Sequence, residues 1–306
     1  MKKTFILLII LIINTLVFGQ NWQTALGYWS KGYEKYGLHD FTGAIADYTK
    51  AIELDPNNAG YYKDRGSAKY QNEDNIGAIA DLTKALETYY GDPEIYSTRG
   101  CAKSALEDYI GAVSDLTKAI KIDSNRIHDY FFRGIAKMYL DDYIGSIEDF
   151  TKSIEFEPDY ADAYYYRGYA KNILKDHSSA VADYSKAIEI DAERESLYFQ
   201  RGRSKGVLKD HISAIADFTK AIEINSNNAE TYCFRGMEKV LMDDFIGAID
   251  DHTKAIEINP KYADAYYFRG VAKIYQGQKY SGCLDLSKAG ELGCAAAYEI
   301  IKTDCQ

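Results

Sequence analysis

Residues 164–171 read YYYRGYAK, an octet that sets an arginine and a lysine on either side of a glycine within a run of rings. Its glycine belongs to a series. Gly32, Gly66, Gly100, Gly134, Gly168, Gly202, Gly236 and Gly270 stand 34 residues apart, and the period never slips. Four residues before each is a tyrosine, from Tyr28 to Tyr266, and three residues after each is a lysine, from Lys35 to Lys273. Fifteen residues after each is an aspartate, from Asp47 to Asp285, and eighteen after is again a lysine, from Lys50 to Lys288. A fixed period of this size marks an array of supersecondary units, each of which buries its apolar face only against its neighbours.

Two helical patterns alternate within a copy. Tyrosine, glycine and lysine at offsets −4, 0 and +3 form one stripe of a first helix. A second helix starts near a polar residue, Asp40, Asp142 or Asp244, and shows Ala44, Tyr48 and Ala51 at i, i+4 and i+7 as its packed face. Asp55-Pro56-Asn57-Asn58, Glu157-Pro158-Asp159 and Asn259-Pro260-Lys261 read as helix-ending turns between copies. Glycine and alanine at the crossing let two backbones approach closely, where a larger side chain would overpack.

A 34-residue unit of this pattern, YxxRGxAK…DYxGAIADxTKAIEI, resembles the tetratricopeptide repeat family in a tyrosine-rich variety similar to that of exported bacterial repeat proteins. Eight copies cover 25–58, 59–92, 93–126, 127–160, 161–194, 195–228, 229–262 and 263–296. Tyrosine stands where the family has its first tryptophan, arginine or lysine replaces the leucine before the glycine, and lysine replaces the tyrosine that follows. The resemblance implies an all-α fold, a right-handed superhelical solenoid of helix-turn-helix repeats with a concave groove lined mainly by first helices. It implies a non-enzymatic scaffold that binds a protein or an extended peptide. The family's carboxylate-clamp members use Lys, Arg and Asn on that surface; here only Lys63, Asn172 and Arg203 are of that type, so a clamp is not expected.

A ligand-reading residue is normally unique, whereas one repeated in step is scaffold. Arginine recurs one residue before the glycine, from Arg65 to Arg269, with Lys31 in the first copy. It and the aspartate both lie at the margin of their helices' packed faces, where a charge needs a partner. The expectation is a ladder, with Arg133, Arg167 and Arg201 set against Asp149, Asp183 and Asp217, within or between copies. Function belongs where copies differ. The stripe next to Tyr–Gly–Lys carries aromatic residues from the fourth copy on, and the candidate groove residues are Phe131, Tyr165, Tyr166, Tyr169, Asn172, Phe199, Arg203 and Tyr267. Rings supply contact area at low entropic cost, and equally they pack between neighbouring first helices; both readings stand at this point. A glycan held on a tyrosine-rich groove and a structural spacer without a groove ligand are the alternative functions.

The first 19 residues, two lysines followed by an apolar run and Val17-Phe18-Gly19, read as a secretory signal peptide. They predict an exported protein, periplasmic or secreted, or else one anchored at its N-terminus. No membrane span is expected after leader removal. The formal charge is −10 and becomes two units more negative without Lys2 and Lys3, which argues against nucleic acid as a partner. Tyrosine, at 28 residues, is roughly three times as frequent as in ordinary chains. His177 and His211 fall at one repeat position beside Asp176 and Asp210 but replace rings elsewhere, so they read as packing residues rather than metal ligands. No nucleophile grouping or phosphate loop is recognisable, so no cofactor, metal or enzymatic activity is expected. At the C-terminus, 295–306 read as a capping helix and tail. A hairpin turning near Gly293-Cys294 would set Cys283 opposite Cys305, a candidate disulfide in an oxidising compartment.

Overall fold

The computed structural model describes residues 23–305; the signal peptide expected over 1–19 lies outside the described residues. These residues fall in two compact units, the first ending at Phe156 and the second starting at Glu157. The first holds α1 (23–37), α2 (Phe41–Leu54), α3 (Ala59–Gln71), α4 (Asn75–Ala85), α5 (Pro93–Ala105), α6 (Tyr109–Ile122), α7 (Ile127–Tyr139) and α8 (Tyr143–Phe156). The second holds α9 (Ala161–Ile173), α10 (His177–Ile190), α11 (Glu195–Val207), α12 (His211–Ile224), α13 (Ala229–Leu241), α14 (Phe245–Ile258), α15 (Ala263–Tyr275), α16 (Lys279–Glu291) and α17 (Ala296–Asp304). Among the described residues there is no strand, and no helix is long and apolar enough to cross a membrane. Within each unit helices pack in chain order, and first helices of adjacent hairpins also touch, as α3 does α5 and α11 does α13.

The hairpin turn follows from two residues. His39, Glu73, Glu107, Asp141, Lys175, Lys209 and Asp243, again 34 apart, are left-handed with φ between 60° and 65°. Each lets the next residue's N–H reach back five positions, as Asp40 N–H donates to the Lys35 carbonyl at 2.9 Å, which satisfies a helix-end carbonyl. That next residue then caps the second helix, the Asp40 carboxylate accepting from Gly43 N–H at 2.9 Å. In the eighth copy Gly277 takes the left-handed position at φ 86°.

The period-defining glycine fixes the crossing. A Cβ on Gly134 would come within 2.8 Å of the Phe150 ring, and one on Gly66 within 2.8 Å of Leu82. The residue sixteen after the glycine lies on it in every copy, as Tyr48, Leu82, Leu116, Phe150, Tyr184, Phe218, His252 and Leu286. Alanines such as Ala44, Ala51, Ala78 and Ala85 fill the rest of that face with no exposed surface.

The charges are built onto the same crossing. Arg99 grips both oxygens of Asp115, Nε to Oδ2 at 2.8 Å and Nη2 to Oδ1 at 2.7 Å, while Lys103 Nζ holds Oδ2 at 2.7 Å. The same triad recurs as Arg133, Lys137 and Asp149, as Arg167, Lys171 and Asp183, and as Arg201, Lys205 and Asp217. The carboxylate is thus paired within its copy. Within each unit the remaining guanidinium nitrogen reaches the preceding copy, Arg99 Nη1 donating to Thr83 Oγ1 at 3.0 Å and Arg201 Nη1 to Ser185 Oγ at 3.0 Å. Each guanidinium also lies over the tyrosine three residues earlier, as Arg167 does over Tyr164 at 5.4 Å. In the first copy Lys35 holds Asp47 at 2.6 Å, the one ion pair of this carboxylate among the described residues.

At the C-terminal end α17 packs on α16, and Cys283 and Cys305 are disulfide-bonded with their Cα atoms 5.8 Å apart. Cys101, Cys233 and Cys294 are free thiols.

Asp115 is 1% exposed. Burial alone would push its carboxyl up, but the hydrogen bonds from Arg99 and Lys103 outweigh that and hold it below the ordinary carboxylate range. A depressed folded-state pKa contributes stability that is present above the unfolded carboxylate value and is lost as the pH falls through the folded one. Asp115→Ala leaves two cations without their partner and should cost about 3 kcal/mol, read as a lowered denaturation midpoint at pH 7. Wild type and variant should converge on acidification. Reduction of Cys283–Cys305 should remove roughly 3 kcal/mol of chain-entropy stabilisation, localised to the cap and measurable as faster amide exchange in α17 with α9–α12 unchanged.

Candidate functional site

With glycine, tyrosine, arginine, lysine and aspartate absorbed by the scaffold, the positions that vary among first helices are left to meet a ligand. In the second unit they come from α9, α11, α13 and α15. Phe199 on α11 is only 7% exposed and packs on Phe218 at 5.9 Å and Phe234 at 5.5 Å between ring centroids. This corrects its expected place in the groove. The phenyl ring has no polar tip to carry to water, and Phe218, tilted against it, and Phe234, edge-on from the next first helix, enclose it. Phe131, in the first unit, is likewise 7% exposed and lies 5.7 Å from Phe150. For both residues the packing alternative holds.

The tyrosines differ. Tyr165, Tyr166, Tyr169 and Tyr267 are half-buried. Tyr165 meets Tyr166 edge-on at 5.1 Å and Tyr184 at 6.0 Å. The Arg194 guanidinium covers Tyr165 at 4.7 Å and is paired with Asp162. Burial pushes the Tyr165 hydroxyl above its usual value. Tyr267 meets Phe268 at 5.0 Å and packs towards the cluster of Leu286, Ala289 and Ala297. Asn172 does not join them, because its side-chain oxygen is 2.5 Å from His177 Nδ1. Arg203 does. Its exposed guanidinium lies over Phe199 at 5.7 Å and over Phe234 at 5.1 Å, and among the described residues it has no carboxylate partner. Beneath this surface the Tyr184 hydroxyl is buried without a hydrogen-bond partner among the described residues.

His177 and His211 are more polar than their reading as ring substitutes predicts. His211 Nδ1 lies 2.6 Å from Glu238 Oε2, a link between α12 and α13. Among the described residues no three His, Cys, Asp or Glu side chains are grouped to hold a metal ion. Lys63 turns to Asp92 at 3.3 Å and Glu94 at 3.8 Å, so it does not present a clamp cation.

Two features escaped the sequence reading. The first unit has a cavity of about 510 Å³ among the early copies, lined by Tyr33, Tyr36, Tyr48, Asp64, Ser67 and Glu94. The acid at Asp64 was its signal, since the equivalent position is Ser30, Thr98 or a mostly aromatic residue in other copies. The second is an exposed row at the hairpin turns, Ile76, Ile110 and Ile144 in the first unit and Ile212 and Ile246 in the second, all at least 65% exposed. Their common spacing of 34 residues, or twice that across Ser178, was visible, but helical periodicity alone does not tell a packed isoleucine from an exposed one.

Residues 32–73 match the TPR repeat family, and residues 93–126, 161–194 and 195–228 match the tetratricopeptide repeat family. No curated protein matches the chain. Among solved structures it is similar to the C-terminal part of a TPR repeat-containing protein from Cytophaga hutchinsonii, with 18% identity, 76% of this chain and 97% of that chain covered, and a TM-score of 0.66. It is similar to YrrB, described as a TPR protein with an unusual peptide-binding site, at 22% identity, covering 62% of this chain and 100% of that one with a TM-score of 0.56. Similarity to MamA is 26% in identity over 56% of this chain and 93% of that chain, with a TM-score of 0.53.

His252 tests how far packing governs the second unit. Both its ring nitrogens are buried without a hydrogen-bond partner among the described residues, its ring stacks on Phe268 at 5.9 Å, and burial pushes its pKa down to about 4. A depressed histidine pKa means that the unfolded chain binds the proton first, so stability falls as the pH drops from the unfolded value towards about 4. His252→Phe, which places there the ring found at Phe218 and Phe150, should raise the thermal midpoint at pH 7. It should also abolish a loss of about 3 kcal/mol between pH 7 and pH 4, a figure set by the size of the pKa change. Equal pH dependence in wild type and variant would show that His252 is not buried in neutral form.

Proposed function

Because four stretches of the chain match tetratricopeptide repeat families, we propose that it is a non-enzymatic scaffold that holds a protein or extended peptide on its first helices, in the cell envelope or outside the cell. The observation that carries this is Arg203. In a chain with ten more acidic than basic groups, a guanidinium stands exposed on Phe199 and Phe234 with no ion-pair partner among the described residues. Arginine on an aromatic bed, flanked by half-exposed tyrosines, has the composition of an interface hot spot. Its planar fork can meet a carboxylate or backbone carbonyls of an incoming chain, while the tyrosines offer both ring and hydroxyl. A fold of this kind carries a peptide-binding site in YrrB. Export is supported by the leader-like residues 1–19, and the Cys283–Cys305 bridge suits an oxidising compartment.

Capture from envelope extracts, with wild type, Tyr169→Ala and Arg203→Ala as bait, tests the surface. Both variants should keep the wild-type melting temperature, and each should bind the captured partner more than ten-fold more weakly, as truncation of a hot-spot residue does. Identical partner sets and affinities for all three baits would reject this surface as the binding site.

A further inference from the structure

The cavity in the first unit has a chemistry opposite to that around Arg203. Tyr33 on α1 is 63% exposed, Tyr36 lies half-buried beside it, and Tyr48 closes the base from α2. Asp64 enters from α3. Its Oδ2 accepts from Trp29 Nε1 at 2.6 Å, and among the described residues no other hydrogen bond or ion pair reaches this carboxylate. Burial pushes the Asp64 carboxyl above its ordinary value, against the pull of that indole bond. Glu94 stands across from it with its side chain 59% exposed, and Lys63, which also lines the cavity, is drawn closer to Asp92 than to Glu94. The cavity wall therefore holds an acid with acceptor capacity to spare, a second acid only loosely paired, and three phenol rings. Carboxylate and ring faces together attract a cation, the acid by charge and the rings by their quadrupole.

We propose that this cavity takes one cationic side chain, arginine or lysine, of an extended peptide lying on the first helices, with Asp64 as its pairing group and the tyrosines around its stem. The inference rests on the peptide-scaffold reading and adds a side-chain preference to it. A volume of about 510 Å³ accommodates such a side chain whole. The preference is local to this copy, because an acid occurs at the position of Asp64 in no other copy.

Trp29 provides the readout, because it donates to the pairing carboxylate. Replacing Trp22 by Phe leaves it the single tryptophan of the chain. The probes are acetylated and amidated Gly-Ser peptides with one central arginine or lysine, their neutral counterparts with citrulline or acetyl-lysine, and cellohexaose. At least one cationic peptide should change Trp29 emission in a saturable way with at least ten-fold higher affinity than its neutral counterpart. Asp64→Asn, which keeps an oxygen for the indole N–H, should erase that preference while the thermal midpoint stays in place. Equal affinity for charged and neutral peptides, an unchanged preference in Asp64→Asn, or a response to cellohexaose alone would each overturn the proposal. Should those occur while Arg203→Ala still loses its captured partner, the scaffold reading stands without this pocket. Should Arg203→Ala and Tyr169→Ala lose nothing while the cationic probe binds, the Arg203 surface fails and the pocket remains.

Discussion

Everything else in the array is arranged around the grip of an arginine on an aspartate sixteen residues later. The pair closes the two helices of a hairpin on each other directly beside the glycine that lets them cross closely, and a lysine completes the carboxylate's hydrogen bonding. A buried carboxylate is costly unless it is so completely satisfied. With both oxygens engaged the geometry admits one crossing, and the ring or leucine over the glycine fills it. The arginine's last nitrogen then bonds a hydroxyl of the preceding hairpin. One side chain thereby fixes both the angle within a hairpin and the register between hairpins.

Much of this was legible in the residues alone because it repeats. Eight glycines at a constant period, each with the same tyrosine, lysine and aspartate, force a helix-hairpin array, and the need of a marginal charge for a partner leads to the Arg–Asp pairing. Which partner takes which nitrogen was not legible: the split between a carboxylate inside the copy and a hydroxyl outside it depends on side-chain reach, not on period. The hairpin turn was half legible. The capping aspartates announced the second helix, but the left-handed residues before them, among them Lys175 and Lys209, carry no glycine to betray their backbone.

The candidate site was less legible for a related reason. An aromatic residue beside the repeated stripe has the same spacing whether it faces water or a neighbouring helix. Phe199 and Phe131 went to packing because Phe218 and Phe150 lie tilted against them, whereas Tyr165 and Tyr169 keep part of their surface in solvent. Asn172 was captured by His177, a neighbour only once the hairpin turns. The cavity around Asp64 draws on four helices, so no short window of sequence contains it.

Because the arginine reaches backwards from hairpin to hairpin within each unit, the stacking there has a direction. A hairpin removed from the C-terminal side of such a stack leaves behind a threonine or serine hydroxyl, which water satisfies at little cost. Removal from the N-terminal side instead strips a guanidinium of one of its bonds next to an already crowded carboxylate. Duplication and loss of copies are therefore not equivalent at the two ends. An array held together in this way is expected to lengthen and shorten most readily downstream of an intact hairpin, with each new copy supplying the arginine that claims a hydroxyl already in place.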